Sequence, residues 1–261
     1  MDESTLFSLL VDLHKGGERQ GPGGSEQTLM ALKLSGINPA SRLAVADIGC
    51  GTGASTRVLA ENLVNAHITA VDLFPEFLQV LADSACAVGY SDRVSPLAGS
   101  MESLPFDDQS LDLIWSEGAI YNMGFGKGVE AWRRLLRPGG VLAVSEITWL
   151  RPDPPDQIRQ YWEAEYAEIG TAAEKIAVLE GAGYDLLGHF ILPPSCWIEN
   201  YYQPTEARID DFLQRHADQP QAQQLIEMER QEAAMYEKWQ SVYGYGFYVA
   251  RKRQVNLRGE K

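Results

Sequence analysis

Residues 45–53 read V-A-D-I-G-C-G-T-G, an apolar run closed by an acid and then glycine at every second position. Leu43, Ala44, Val45 and Ala46 suit a strand buried on both faces, and Ala54 to Leu63 carry helical spacing, so the glycines occupy a strand-to-helix turn. Gly49, Gly51 and Gly53 have no Cβ. They accept φ above zero and let backbone N–H groups come close to a ligand at the positive end of the following helix. A chain built around such a turn is committed to an open α/β sheet with a nucleotide-type site at the strands' carboxyl edge.

The rest of the chain repeats the alternation. Apolar runs near residues 43–48, 67–72, 93–98, 111–116, 140–147, 184–190 and 244–251 are separated by helical spacing, with neither internal repeat nor low-complexity linker. That pattern predicts a doubly wound, seven-stranded, mostly parallel sheet with helices on both faces.

Two cofactor classes use a glycine turn of this kind. Gly49, Gly51 and Ala54 satisfy G-x-G-x-x-G/A, and Asp72 stands about 20 residues on, as a dinucleotide site requires. Asp47 argues for the other class. A carboxylate at the mouth of the first strand repels a pyrophosphate but suits a cationic ligand without phosphate. D-I-G-C-G-T-G resembles the first motif of the class I S-adenosylmethionine-dependent methyltransferases, small-molecule branch. The resemblance continues through Val71-Asp72-Leu73, through Gly99-Ser100-Met101-Glu102-Ser103-Leu104-Pro105-Phe106, and through Leu135-Leu136-Arg137-Pro138-Gly139-Gly140, covering roughly residues 40–150.

What the resemblance implies is a Rossmann-like fold with an antiparallel last strand and a bound S-adenosylmethionine. In that family Asp47 holds the ammonium end, directly or through water, Gly49, Cys50, Gly51 and Gly53 line the methionine portion, and Asp72 accepts both ribose hydroxyls. Leu73 covers one adenine face, Ser100 and Met101 meet its edge, and Ser116, near the end of the fourth strand, is a further candidate cofactor contact. Relatives often carry Asp where this chain has Ser100, a weaker acceptor. The segment before the first strand often folds over the cofactor, which makes Arg19 or Gln20 a candidate for the methionine carboxylate. A flexible connector is the other reading of that segment, in which Leu6, Phe7, Leu10 and Leu13 mark a short amphipathic helix and Ser25 caps a second one.

In the resembled family the last two strands form a hairpin, whereas about 50 residues separate Phe190 from Tyr245 here. Leu225, Met228, Met235, Tyr236, Trp239 and Val242 recur at helical spacing in this insertion, after Ile209, Phe212 and Leu213. It either packs onto the sheet domain or also roofs the acceptor pocket. The aromatic loop that opens it makes Trp197, Tyr201 and Tyr202 candidate substrate contacts, with Trp149 a weaker one. The expected division is a lid segment over 1–40, the cofactor-binding core over 41–192, a cap over 193–243, and the last strand with a basic tail over 244–261.

Methyl transfer from a sulfonium is an in-line displacement that asks for alignment and desolvation and no metal. Candidate catalytic groups are Glu117 and Tyr121 after the fourth strand and His189 in the sixth, each with a structural alternative: support of the cofactor loop for the first two, a core histidine for the third. Glu146 is a weaker candidate. His14, His67, His189 and His216 form no cluster in the sequence, and Cys50, Cys86 and Cys196 fit neither a disulfide framework nor a zinc site.

A formal net charge of −14 disfavours nucleic acid, since the one dense basic cluster is the tail Arg251, Lys252, Arg253, Arg258 and Lys261, read as solvated. No stretch has the roughly 20 apolar residues of a membrane span, and Met1 to Leu13 carries acids where a signal peptide needs positive charge. The expectation is a cytoplasmic enzyme, monomer or homodimer, that methylates a small molecule. A nicotinamide-dependent dehydrogenase and a non-catalytic cofactor-binding protein are the alternatives.

Overall fold

A computed structural model of the protein describes residues 3–254. Eight strands form one sheet: β1 (Ala44–Ile48), β2 (His67–Asp72), β3 (Val94–Ala98), β4 (Leu111–Glu117), β5 (Leu136–Trp149), β6 (Gly170–Thr171), β7 (Tyr184–Ile191) and β8 (Tyr243–Lys252). Their order is β3-β2-β1-β4-β5-β8-β7, with the two-residue β6 alongside β5. β8 alone runs antiparallel, to β5 on one side and β7 on the other. The chain winds outward from β1 to β3 and then returns to β4 on the opposite side of β1. That reversal opens a crevice at the carboxyl ends of β1 and β4, where ligands bind in open α/β sheets.

Alternation along the strands divides the core into two layers. Val45, Leu113 and Ala143 face one side with Leu59 and Leu81, whereas Ala46, Ile114 and Leu142 face the other with Val129 and Trp132. Each layer is closed by helices: α3 (Ala54–Asn62) and α4 (Pro75–Ala87) on the first face, α5 (Phe125–Arg133) and α7 (Ala172–Gly181) on the second. α7 begins with a capping box in which Thr171 and Glu174 satisfy each other's backbone N–H groups.

β5 starts four residues before the sequence expectation. Leu136 pairs with Leu111, and the register shifts before Leu113 meets Val141, so Arg137 to Gly140 form an irregular stretch that apolar spacing does not mark. β6 is too short to leave a periodic signal. The insertion between β7 and β8 is helical from its start: Ser195–Trp197 is helical, Ile198–Tyr202 a π-helical turn, and Ile209–Arg215 and Pro220–Trp239 are longer helices. The expected aromatic loop is therefore helix.

A third apolar cluster joins two segments far apart in the sequence. Leu9 and Leu13 of α1 (Glu3–Lys15) pack with Ile209, Phe212, Leu225 and Ile226 of the insertion. Of the expected stripe, Leu13 is buried here and Leu6 and Leu10 pack against the same cluster, whereas Phe7 stays 53% exposed and Leu9, not anticipated, is buried. In α2 (Ser25–Leu34), Gly24 occupies the N-cap position and no side chain caps the helix, so Ser25 is its first residue and not its cap.

The basic tail is corrected in part. Lys252 is buried, its Nζ donating to the carbonyls of Arg133 (2.8 Å) and Leu136 (2.6 Å), and Arg253 pairs with Asp185 at 2.7 Å. Lys252 meets carbonyls at the end of α5 and the start of β5, and Arg253 meets Asp185 and the Glu180 carbonyl of α7, so both serve as fasteners of β8. Arg258 and Lys261 lie outside the described residues. Among the described residues no helix is long and apolar enough to cross a membrane.

Candidate active site

A cavity of about 650 Å³ opens at the crevice between β1 and β4. Its floor is the glycine turn after β1, where Gly49, Gly51 and Gly53 have φ of +72°, +55° and +92°. All three are left-handed, yet each also fills a space a Cβ cannot share. A Cβ on Gly49 would stand 2.3 Å from Ala119 Cβ, and one on Gly51 would stand 2.0 Å from Gln20 Oε1. Gly53 packs under Leu81 and is absent from the cavity wall. Because Ala119 sits on a backbone that cannot swing aside, Gly49→Ala is expected to cost about 1–3 kcal/mol from strained backbone alone. A thermal melt of this variant matching the wild type would contradict the geometry.

Asp72, ending β2, lines the cavity and accepts the N–H of Gly51 (2.8 Å) on one oxygen and that of Phe74 (3.0 Å) on the other. Burial raises its carboxyl above the ordinary value, while these N–H groups oppose the rise. Asp47 lies beneath the turn, outside the wall. One of its oxygens accepts from Ser55 Oγ (2.8 Å) and Thr56 Oγ1 (2.6 Å), and the other, Oδ1, is buried without a partner. Burial pushes its carboxyl up to about 7 against those two hydrogen bonds.

The N-terminal segment covers the turn, with Arg19 and Gln20 in the wall. Their polar groups are committed within the protein. Gln20 accepts the N–H of Thr52 at 2.8 Å and donates to the carbonyls of His14 and Gly17, both at 3.1 Å. Arg19 donates to Glu117 Oε2 at 2.8 Å. Glu117 Oε1 accepts from Thr28 Oγ1 (2.6 Å) and Trp115 Nε1 (2.9 Å), so α2, β4 and the N-terminal segment meet on one carboxylate. Sequence spacing gives no access to this junction, because its members lie up to 98 residues apart.

Of the other expected residues, Cys50, Leu73, Ser100, Met101, Tyr121 and Tyr201 line the cavity. Ser100 Oγ already accepts the N–H of Glu102 at 3.2 Å. The structure does not bring Ser116, Trp149, Trp197, Tyr202 or His189 into the wall. Ser116 is fully buried in β4, and Trp149 is buried in the sheet core. Trp197 stacks on Tyr236 with centroids 4.2 Å apart, and Tyr202 stands behind the wall, donating its hydroxyl to Glu232 at 3.0 Å. His189 is exposed on β7, separated from β5 by β8, and its ring stacks on Tyr248. An outer strand of this sheet cannot reach the switch point. Glu146 is also absent from the wall, held in the core by Lys175 Nζ at 3.0 Å.

Among the wall residues not anticipated, three form a charged group. Glu229 and Glu232 enter from the long helix Pro220–Trp239, and His14 from α1, with His14 Nε2 3.2 Å from Glu229 Oε1. The two glutamates fall at helical spacing with the buried Ala222, Leu225, Ile226 and Tyr236, a polar break in the apolar stripe that is the one sequence signal for them. Only the docking of that helix onto α1 turns them inward.

A methyltransferase-domain family model matches residues 46–144. Trans-aconitate 2-methyltransferase of Escherichia coli O1:K1 / APEC is 30% identical over 225 residues, covering 84% of this chain and 82% of that protein. Malonyl-[acyl-carrier protein] O-methyltransferase of Dechloromonas aromatica (strain RCB) is 39% identical over 101 residues, 39% of this chain and 35% of that protein. The chain thus spans only about a third of that relative. Among solved structures, an S-adenosylmethionine-dependent methyltransferase from Geobacter sulfurreducens in complex with S-adenosyl-L-homocysteine shares the fold, with a TM-score of 0.81, 19% identity, and coverage of 95% of this chain and 98% of that one.

Proposed function

Because the chain belongs to the S-adenosylmethionine-dependent methyltransferase family, we propose that it transfers a methyl group to a small-molecule acceptor held in the cavity at the β1/β4 switch point. The observation that carries this reading is the pairing of a wall carboxylate, Asp72, with a buried carboxylate, Asp47, on either side of the glycine turn. Asp47 keeps one oxygen unpartnered. The one Lys or Arg among the described wall residues, Arg19, is already spent on Glu117. The Asp72 charge in the wall fits a cationic cofactor and opposes the pyrophosphate of a nicotinamide dinucleotide, and Asp47, raised to about 7, adds to it in its ionised form from beneath the turn.

S-adenosylmethionine, when bound, supplies a methyl already activated by its sulfonium. In this reading the turn's N–H groups and Asp72 hold the nucleoside side, with Leu73, Ser100 and Met101 at the base. Gln20 and Thr52 fasten the N-terminal segment over the turn and exclude water. Glu117 accepts three hydrogen bonds from neighbouring side chains, which makes it a positioning residue that fixes the wall next to Tyr121. Tyr121 is 39% exposed, its ring edge-on to Tyr166. The three cysteines are free, consistent with a reducing, cytoplasmic setting. The acidic composition opposes a nucleic-acid substrate.

Calorimetric titration with S-adenosylhomocysteine and with NADH tests the cofactor, and incubation with methyl-labelled cofactor and a metabolite extract tests turnover. Binding of the former ligand alone, with label passing to a small product, is the expected result. Tight NADH binding would favour the dehydrogenase, and homocysteine-form binding without label transfer would favour a non-catalytic protein.

A further inference from the structure

The wall that the insertion adds to the cavity has a definite charge. It contributes Glu229, Glu232 and Tyr201, opposite no unpaired cation in the wall: Arg19 is held by Glu117, and His14 stands against Glu229. Glu232 has a neutral partner, the Tyr202 hydroxyl at 3.0 Å, and no ion pair among the described residues. Tyr121 and Tyr201 present aromatic rings to the same space. Arg208, close enough to Glu229 to feel its charge, donates to Thr205 Oγ1 and is not in the wall.

Resting on the methyltransferase reading, we infer that the acceptor is an organic cation, a protonated primary or secondary amine on a small apolar body, recognised by Glu232 and by the rings of Tyr121 and Tyr201. A desolvated carboxylate without a counter-ion is costly, and a ligand ammonium relieves that cost. Aromatic rings add attraction for the same charge. An acidic acceptor has the reverse balance. It enters a wall of carboxylates with Arg19 already paired, and a net charge of −14 repels it during approach.

Transfer to such a group balances when the ammonium first gives one proton to the Glu232 carboxylate. Burial, then the nearby Glu229 charge, raises that carboxyl and so favours proton uptake, against the Tyr202 hydrogen bond and His14. The freed nitrogen pair forms the N–C bond, the C–S bonding pair stays with sulfur, and the product is again an ammonium. The proton on Glu232 then leaves to solvent.

Three probes on one skeleton test the inference by calorimetry at pH 7, on protein saturated with S-adenosylhomocysteine: phenethylammonium, 2-phenylethanol and 3-phenylpropionate. The cation is expected to bind at least about tenfold tighter than the alcohol and the acid, and Glu232→Gln to weaken the cation by about tenfold or more with little change for the alcohol. Unchanged S-adenosylhomocysteine affinity in Glu232→Gln shows that the variant is folded. Acid or alcohol binding as tightly as the cation, no cation binding, or cation binding indifferent to Glu232→Gln overturns the inference. Failure of the wild type to bind S-adenosylhomocysteine overturns the methyltransferase reading itself, which separates the two failures.

Discussion

Asp72→Ala is expected to weaken S-adenosylhomocysteine binding by about two to four orders of magnitude, from the loss of two charged hydrogen bonds worth about 1.5–3 kcal/mol each. Calorimetry reads this directly, and an unchanged affinity would show that the carboxylate does not hold the ribose. A second effect accompanies it. Asp72 also receives the N–H groups of Gly51 and Phe74, so its removal loosens both the glycine turn and the start of α4. Because the site opens to the cavity, water can replace those bonds, and the melting temperature should fall by only a few degrees. Burial raises the Asp72 carboxyl, and the ionised form is the one that accepts two hydroxyls. Affinity should therefore be full above the raised value and be lost as pH falls through it.

Lys175→Met is expected to have the largest effect on stability. Lys175 and Glu146 form a buried ion pair at 3.0 Å, both side chains under 4% exposed, with Lys175 also donating to the Glu168 carbonyl at 2.7 Å and lying over the Phe125 ring. Among the described residues Lys175 is the one cation paired with Glu146, and the Tyr166 hydroxyl adds only a neutral interaction. Removing Lys175 leaves a buried charge uncompensated, at a cost of about 3–5 kcal/mol. For a chain of this size that corresponds to a melting temperature lower by roughly 6–20 °C.

The pH dependence has a fixed sign. Burial raises the Glu146 carboxyl despite Lys175, and loss of Lys175 raises it further. A carboxyl raised in the folded state stabilises least when both states are ionised, so the deficit of Lys175→Met should be full at neutral pH and shrink as pH falls toward the ordinary carboxylate range. Adding Glu146→Gln to Lys175→Met should restore most of the loss. A single variant that melts like the wild type at pH 7 would show the pair to be dispensable.

Neither group in this pair announces itself in the sequence. Glu146 ends an apolar strand and reads as a weak site candidate, and Lys175 is a lysine with no motif around it. The pairing appears only when α7 packs on β5. The site divides in the same way. The turn of Gly49, Gly51 and Gly53, the acid Asp72 and the strand pattern are local features, because φ above zero, period-two burial and a strand-end carboxylate each depend on a few adjacent residues. These were legible directly, and they carried the parallel sheet and its switch point with them.

What only the tertiary structure decided is the other half of the cavity. Gln20 and Arg19 were placed near the cofactor, but their partners are Thr52 and Glu117, chosen by how the N-terminal segment lies over the turn. Trp197 and Tyr202 pack behind the wall that Tyr201 lines, a difference of rotation within one helical stretch. Glu229 and Glu232 fall at the helical spacing of Ala222, Leu225, Ile226 and Tyr236, and His14 at that of Leu6 and Leu10, so their one signal is a polar break in an apolar stripe, which does not say what it faces. A charged residue set within the apolar stripe of a helix keeps the same spacing whether it meets a partner or a cavity, and its destination is set by how Leu225, Ile226 and Tyr236 on that same face pack. Leu9 and Leu13 packing on Phe212, Leu225 and Ile226 fix that orientation from across some 200 residues.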